Sequence, residues 1–185
     1  MGISFSEPQR LKEIFDAQNR EEWQRTSHII GTLALKEDDI IADVGAGTGY
    51  FSNIFAQTIA GGKVYSIDCE PNMVAYMKDR FSAERFAHMQ VIASMPDNPC
   101  IPSDVDIVFL ANTYRFIERR DLFLQKMREQ TKSGTRFVFV DFKGANARVT
   151  PEMARNEVQE AGFEVQSLDL DGCPDHYILN FKEIQ

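Results

Sequence analysis

Three glycines at alternate positions, Gly45, Gly47 and Gly49, form the most informative segment of this sequence. They follow a short apolar run, residues 40–44, and precede a stretch with helical character. Glycine permits positive φ and lets the backbone approach a ligand closely, and open α/β sheets bind ligands at the carboxyl ends of their strands. A tight turn without a ligand needs only one glycine. The three together therefore favour a ligand-binding loop.

The acidic residues around this loop indicate the charge of its ligand. Asp43 precedes the loop, and Asp68 ends the second predicted strand, where a carboxylate can accept hydrogen bonds from ribose hydroxyls. The dinucleotide fingerprint would put Tyr50 where a small residue is needed, and no Gly-Lys-Ser/Thr follows the loop. The pattern therefore favours a phosphate-free ligand with a ribose and a cationic centre. S-adenosylmethionine, with its sulfonium and ammonium groups, fits this description.

Candidates for catalysis lie at the ends of the fourth and fifth predicted strands. They are Asn112, Tyr114 and Asp141. Tyr114 would either orient a substrate or pack under a loop, and Asp141 would either face the ligand edge or take part in a helix cap or salt bridge. The three histidines lack the spacing of metal ligands, so no metal site is predicted. Of these, His176 could face the site, although it lies on a terminal strand and such strands are generally remote from the ligand.

Alternating short strands and helices must position these residues. Near-continuous apolar strands separated by helices indicate a parallel sheet covered on both faces. The last two predicted strands have no crossover helix between them, so we expect them to pair antiparallel. The predicted fold class is α/β, a Rossmann-like doubly wound sheet of seven strands in an α/β/α sandwich. Its strands are mostly parallel, with an antiparallel last strand.

Length and charge narrow the function further. A chain of 185 residues suits a single domain, with residues 1–38 as a lead-in of one or two helices that serves as a lid, and residues 39–185 as the ligand-binding domain. The net charge of −8 disfavours nucleic acids and anionic membranes as partners. No signal peptide or membrane span is evident. We expect a cytoplasmic protein, a monomer or homodimer.

Three segments resemble the class I S-adenosylmethionine-dependent methyltransferases, in particular their small single-domain bacterial type. They are DVGAGTGYFS (43–52), VYSIDCEPNM (64–73) and DVDIVFLANTYRF (104–116). Asn19-Arg20 followed by Trp23-Gln24 also looks like the lead-in of a small bacterial subgroup. The resemblance implies in-line methyl transfer from S-adenosylmethionine, with S-adenosylhomocysteine as the product. By elimination, the expected acceptor is a small molecule.

The resemblance also implies which residues bind the cofactor. The glycine loop would pass under its methionine part, and Asp68 would hold the ribose. Trp23 would either cover the cofactor as part of a lid or dock the N-terminal helix on the sheet. Many family members carry an aspartate after the third strand that faces the adenine amine, whereas this chain has Ser94 there. The full implied set is Trp23, Asp43, Gly45, Ala46, Gly47, Thr48, Gly49, Tyr50, Asp68, Cys69, Met73, Ser94, Met95, Ala111 and Asn112.

Two other functions stay open from the sequence. One is a non-catalytic protein that binds S-adenosylmethionine or activates a partner, because the sequence identifies no indispensable catalytic residue. The other is a nicotinamide-dependent oxidoreductase on the same kind of sheet, which Tyr50 and the lack of an evident proton-donor pair disfavour.

Overall fold

Seven strands and seven α-helices make up the computed structural model, which describes residues 7–17 and 19–184. The strands are β1 (Ile40–Val44), β2 (Lys63–Asp68), β3 (Met89–Ala93), β4 (Ile107–Ala111), β5 (Arg136–Phe142), β6 (Phe163–Asp169) and β7 (His176–Glu183). The helices are α1 (Pro8–Phe15), α2 (Arg20–Gln24), α3 (Thr26–Leu33), α4 (Tyr50–Thr58), α5 (Pro71–Arg80), α6 (Arg120–Gln130) and α7 (Pro151–Glu160), with a 3-10 turn at Tyr114–Phe116.

All seven strands form one sheet in the order β3-β2-β1-β4-β5-β7-β6. Every pairing among β1 to β5 is parallel, and β7 pairs antiparallel with both β5 and β6. This confirms the predicted fold class and the antiparallel last strand. The strand order reverses between β1 and β4, and such a switch point opens a crevice at the carboxyl ends of the strands.

Two apolar clusters cover the two faces of the sheet. One contains Val108, Phe139 and Val158, and the other contains Ile41, Phe55 and Phe109. Because neighbouring residues of a strand point to opposite faces, an entirely apolar strand such as β4 contributes to both clusters. The core therefore fixes the end of β4, where the segment that follows meets the glycine loop.

The N-terminal segment forms three helices in its described part, so the prediction of one or two was wrong. Arg25 has a φ of 52° and separates α2 from α3, and α3 ends at Ala34, which has a φ of 45°. Neither break was predictable, because a left-handed residue is usually a glycine and these two are not. The apolar periodicity also continues across Arg25 without interruption. None of the described helices is long and apolar enough to cross a membrane.

Candidate functional site

A pocket of about 270 Å³ lies at the carboxyl ends of β1, β2 and β4. Its walls come from the glycine loop, the start of α5, the segment after β4, and the N-terminal helices. The lining residues are Phe15, Arg20, Asp43, Gly45, Ala46, Gly47, Thr48, Tyr50, Phe51, Asp68, Cys69, Glu70, Met73, Ala111, Asn112, Thr113 and Phe116. The pocket therefore brings together eleven of the fifteen residues that the resemblance implied.

The glycine loop depends on backbone conformations that other residues rarely adopt. Gly45, Gly47 and Gly49 have φ values of 73°, 59° and 80°. The amides of Gly45 and Ala46 both donate to the carbonyl of Ile67, at 2.8 and 3.0 Å, which ties the loop to the end of β2. A Cβ on Gly45 would overlap the side chain of Thr113. The loop thus packs directly on the segment that follows β4.

Asp68 joins the glycine loop to the start of α5. One carboxylate oxygen accepts from the amide of Gly47 at 2.8 Å, and the other accepts from the amide of Glu70 at 2.9 Å. Burial raises the pKa of Asp68 above its ordinary value, and the backbone hydrogen bonds oppose that effect. Each carboxylate oxygen can accept more than one hydrogen bond, so Asp68 can hold the loop and still bind ligand hydroxyls.

Asp43 lies at the end of β1 and is the most buried acid of the pocket, with 2% of its surface exposed. Its Oδ2 accepts a hydrogen bond from the hydroxyl of Ser52 at 2.6 Å. Burial raises the pKa of Asp43 to about 7, although the Ser52 hydrogen bonds lower it. A cationic group in the pocket would favour the ionised form of this carboxyl.

Arg20, on α2, is a buried cation in the pocket wall that the sequence did not assign to the site. Its Nε donates to Gln24 and its Nη1 to the carbonyl of Phe15, while its guanidinium lies 4.0 Å from the ring centre of Tyr50. Burial lowers its pKa to about 10, so it stays charged at neutral pH. Asp16 and Asp43 act on Arg20 electrostatically and raise its pKa, but no carboxylate of the described residues is in direct contact with its guanidinium. A buried guanidinium with no carboxylate in contact suits an anionic group on the ligand.

Four residues of the implied cofactor set do not line the pocket. A Cβ on Gly49 would overlap Phe81, so this glycine serves the packing of α4 on α5. The amide of Ser94 donates to the carbonyl of Asp68 at 2.9 Å, and Met95 is 60% exposed in the tight turn that follows. Trp23 packs against His176, with ring centres 5.7 Å apart.

Of the three catalytic candidates, only Asn112 lines the pocket. The hydroxyl of Tyr114 donates to Glu157 at 2.6 Å, and its ring packs on Phe139 in the core. Asp141 is paired with Arg115 and accepts from the amide of Phe142 at 2.8 Å. These contacts match the packing and salt-bridge alternatives that the sequence left open for Tyr114 and Asp141.

The sequence left open whether His176 faces the site, and the structure places it in contact with a residue of the pocket wall. β7 runs beside β5, and the Nε2 of His176 lies 2.9 Å from the Oδ1 of Asn112, which lines the pocket. Only the strand order brings these two residues together, and sequence spacing carries no signal for it. Within residues 7–17 and 19–184, no three His, Cys, Asp or Glu side chains form a group suited to a metal ion.

The chain is similar to known methyltransferases in sequence and in structure. The methyltransferase domain family matches residues 35–183. A SAM-dependent methyltransferase from Aquifex aeolicus superposes with a TM-score of 0.86 at 21% identity, covering 99% of this chain and 100% of that one. The putative methyltransferase in complex with the Trm112 activator from Haloferax volcanii gives 0.79 at 14% identity, covering 100% of both chains.

A third similar structure is the glycopeptide N-methyltransferase MtfA complexed with S-adenosyl-L-homocysteine. It superposes with a TM-score of 0.73 at 9% identity, over 87% of each chain. At these identities the structural likeness shows the fold alone. No curated protein matches the sequence.

Proposed function

The chain belongs to the methyltransferase domain family, and from this membership and the pocket we propose that it transfers a methyl group from S-adenosylmethionine to a small-molecule acceptor. The observation that carries the proposal is the charge arrangement of the pocket. Asp43 and Asp68 line the pocket and suit cationic and hydroxyl groups, and Arg20, on α2, lines the same pocket and suits an anion. S-adenosylmethionine has a sulfonium, an ammonium, a ribose and a carboxylate. These groups match the side chains present.

Each part of the cofactor has residues suited to it. Asp68 accepts hydrogen bonds from the ribose, and Asp43 attracts the ammonium. Arg20 donates to the carboxylate with Nη2, because its Nε and Nη1 are already bonded to Gln24 and Phe15. Cys69 and Met73 lie beyond Asp68 along the pocket and offer an apolar contact for the adenine.

The chain's contribution to the reaction is binding and orientation. When bound, S-adenosylmethionine supplies a methyl group on a positively charged sulfur. The described N-terminal helices cover the pocket, and in residues 1–38 we propose a lid over the methyltransferase domain of residues 39–185. Holding two reactants in line inside such a closed site accounts for much of a rate enhancement.

Binding and transfer experiments test this proposal. We expect calorimetry to show binding of S-adenosylmethionine and S-adenosylhomocysteine and none of nicotinamide dinucleotides. Tritium from the labelled methyl group should appear in small molecules of a mixed acceptor panel. Binding of a nicotinamide dinucleotide alone would contradict the cofactor assignment. Cofactor binding without transfer to any acceptor would instead support the non-catalytic function.

Replacing Asp68 with alanine tests the ribose contact. We expect the affinity for S-adenosylhomocysteine and for methylthioadenosine to fall alike, by roughly 10- to 150-fold, the effect of about 1.5–3 kcal/mol for hydrogen bonds to a charged group. Both ligands carry the ribose, so calorimetry should show no difference between their losses. Asp79→Ala, an exposed acid on α5, is the matched control and should leave both affinities unchanged. Unchanged affinity in Asp68→Ala would remove this carboxylate from the site.

The raised pKa of Asp43 predicts a pH-dependent affinity. Below pH 7 this carboxyl is mostly protonated in the free protein, and a bound ammonium favours its ionised form. Binding of S-adenosylhomocysteine should therefore release a proton. Its affinity should rise by up to about tenfold per pH unit below pH 7 and level off above it. Calorimetry between pH 5.5 and 7.5 in buffers of different ionisation enthalpy measures both effects.

The variant Asp43→Asn provides the control for that measurement. It has no titratable group at this position, so its affinity should be lower and independent of pH over the same range. A pH profile that persists in Asp43→Asn would assign the proton to another group. The free energy of unfolding depends on pH in the opposite direction to the binding affinity. An acid whose pKa is raised by folding stabilises the folded protein below its ordinary pKa near 3.8, and this contribution declines as the pH rises to about 7.

A further inference from the structure

The side chain of Asn112 is held in one orientation by two donors. Its Oδ1 lies 3.0 Å from the Nη1 of Arg115 and 2.9 Å from the Nε2 of His176. A guanidinium can only donate, so the atom that faces Arg115 must be the amide oxygen. The amide nitrogen of Asn112, with its two N–H groups, is therefore the end that the network leaves for the pocket.

The shorter of two contacts assigns the tautomer of His176. Its Nε2 lies 2.9 Å from the Oδ1 of Asn112 and 3.4 Å from the amide nitrogen of Gln24, so the proton on Nε2 bonds to the nearer acceptor. Nδ1 has no hydrogen-bond partner among the described residues. The ring is fully buried between Trp23 and Phe142, at 5.7 and 4.2 Å between ring centres. Burial lowers the pKa of His176 to about 3, so the ring stays neutral. His176 acts here as a rigid donor to Asn112.

The backbone conformation of Asn112 also indicates a functional site. Its φ of 57° is left-handed, a conformation that asparagine tolerates better than most residues, and its amide donates to the carbonyl of Val140 at 2.8 Å. Strained backbone held by several contacts is typical of functional sites. Arg115 in turn is held by Asp141 through both its guanidinium and its amide, the latter at 3.1 Å. The end of β4, the 3-10 turn, β5 and β7 therefore together orient the side-chain amide of Asn112.

The groups that contact this network cannot take a proton from a substrate. Asp141 is paired with Arg115 and has 1% of its side chain exposed. His176 offers only Nδ1, which is enclosed in the core. Phe116 lines the pocket beside Asn112, and the guanidinium groups of Arg115, which is paired with Asp141, and of Arg148 lie 4.6 and 5.4 Å from its ring centre. An acceptor at this end therefore meets the amide donor of Asn112 and the guanidinium groups around Phe116, with no base in the network.

We infer that Asn112 selects the acceptor, and that the acceptor is an acidic hydroxyl compound, a phenol or enol bound as its oxyanion. This inference rests on the proposed function and specifies its substrate class. The amide of Asn112 donates to the oxyanion, while Arg115 and His176 are positioning residues that act through Asn112. In the transfer, a lone pair of the oxyanion forms the bond to the methyl carbon, and the carbon–sulfur bonding pair stays on sulfur. Charge balances without removal of a proton.

The test uses 4-nitrophenol as the probe, because the absorbance of its phenolate reports ionisation directly. In the complex of the full chain with S-adenosylhomocysteine, we expect the apparent pKa of bound 4-nitrophenol to fall by about one unit relative to the free probe. With S-adenosylmethionine instead, labelled methyl should pass to 4-nitrophenol and not to 4-nitrobenzylamine, which lacks an ionisable hydroxyl.

Two variants suited to the left-handed backbone examine the role of Asn112. Asn112→Gly removes the amide without strain and should abolish the pKa shift of the probe. Asn112→Asp places a carboxylate against the oxyanion and should raise the probe's apparent pKa above that of the free compound. Asn156→Asp, on the exposed surface of α7, is the matched control and should behave as the unmodified protein. His176→Gln, which keeps a donor, should retain more of the shift than His176→Leu.

Each outcome decides the inference separately from the proposed function. Failure of the chain to bind S-adenosylhomocysteine overturns the proposed function. Binding of S-adenosylhomocysteine with no binding of 4-nitrophenol, or with no shift of its pKa, overturns the acceptor class and leaves the cofactor site intact. A shift that survives in Asn112→Gly overturns the role of Asn112. Loss of the 4-nitrophenol pKa shift in Asn112→Gly, together with its reversal in Asn112→Asp, supports both the acceptor class and the role of Asn112.

Discussion

Replacing Arg20 with alanine is expected to weaken S-adenosylhomocysteine by roughly 30- to 5,000-fold, the effect of about 2–5 kcal/mol for truncating one partner of a buried charge pair. The reason is that the ligand carboxylate would then be buried against Phe15 and Tyr50 without a counter-charge. Decarboxylated S-adenosylhomocysteine keeps the amine and loses only the carboxylate. Its affinity should change less than threefold in the same variant. Calorimetry with the two ligands measures the difference.

This comparison separates ligand recognition from a structural role of Arg20. The residue also bonds to Phe15 and Gln24, so its loss could loosen the lid. A loosened lid would weaken both ligands equally, and that result would contradict the carboxylate assignment. Arg20→Lys keeps the charge but loses the planar fork, so it should recover only part of the affinity. Arg155→Ala, an exposed arginine on α7, is the matched control.

Replacing Gly47 with valine should remove measurable binding of S-adenosylhomocysteine, a loss of at least about 100-fold. A Cβ at this position would lie 3.5 Å from the ring of Phe15, so the valine methyl groups would occupy the space between the loop and the lid. The φ of 59° adds strain of roughly 1–2 kcal/mol. Calorimetry gives the affinity, and thermal unfolding shows whether the protein still folds.

Gly134→Val supplies the control for backbone strain. Gly134 has a φ of 88°, and a Cβ there would meet no atom within 4 Å. We expect this variant to lose stability by a similar amount while binding S-adenosylhomocysteine normally. If Gly134→Val also lost binding, the effect of Gly47→Val would be one of global destabilisation. Normal binding in Gly47→Val would show that the ligand does not pass under this loop.

The sequence predicted those parts of the site that neighbouring residues determine. Gly45, Gly47 and Asp68 are recognisable because strand, turn and helix follow one another locally, and the topology then places the ends of β1 and β2 side by side. The fold was predictable for the same reason, since apolar strands alternate with helices along the chain. The antiparallel pairing of β6 and β7 followed from the short connection between them.

The other residues of the site could not be predicted, because their positions depend on contacts between segments that are far apart in the sequence. Arg20 enters the pocket wall only because α2 docks over the glycine loop, and His176 reaches Asn112 only because β7 lies beside β5. Tyr114 follows β4 and Asp141 lies near the end of β5, yet their partners are Glu157 and Arg115, and neither side chain lines the pocket. The residue types and positions of Tyr114 and Asp141 suited a functional and a structural role equally. Only the identity of the partner side chain distinguishes the two roles.

The cover formed by Phe15 and Arg20 has a kinetic consequence. With the N-terminal helices acting as the proposed lid, a bound nucleoside would leave only after these short helices swing outward, and such opening motions take microseconds to milliseconds. We therefore expect exit of the spent nucleoside to limit turnover, so that the rate falls as glycerol makes the solvent more viscous.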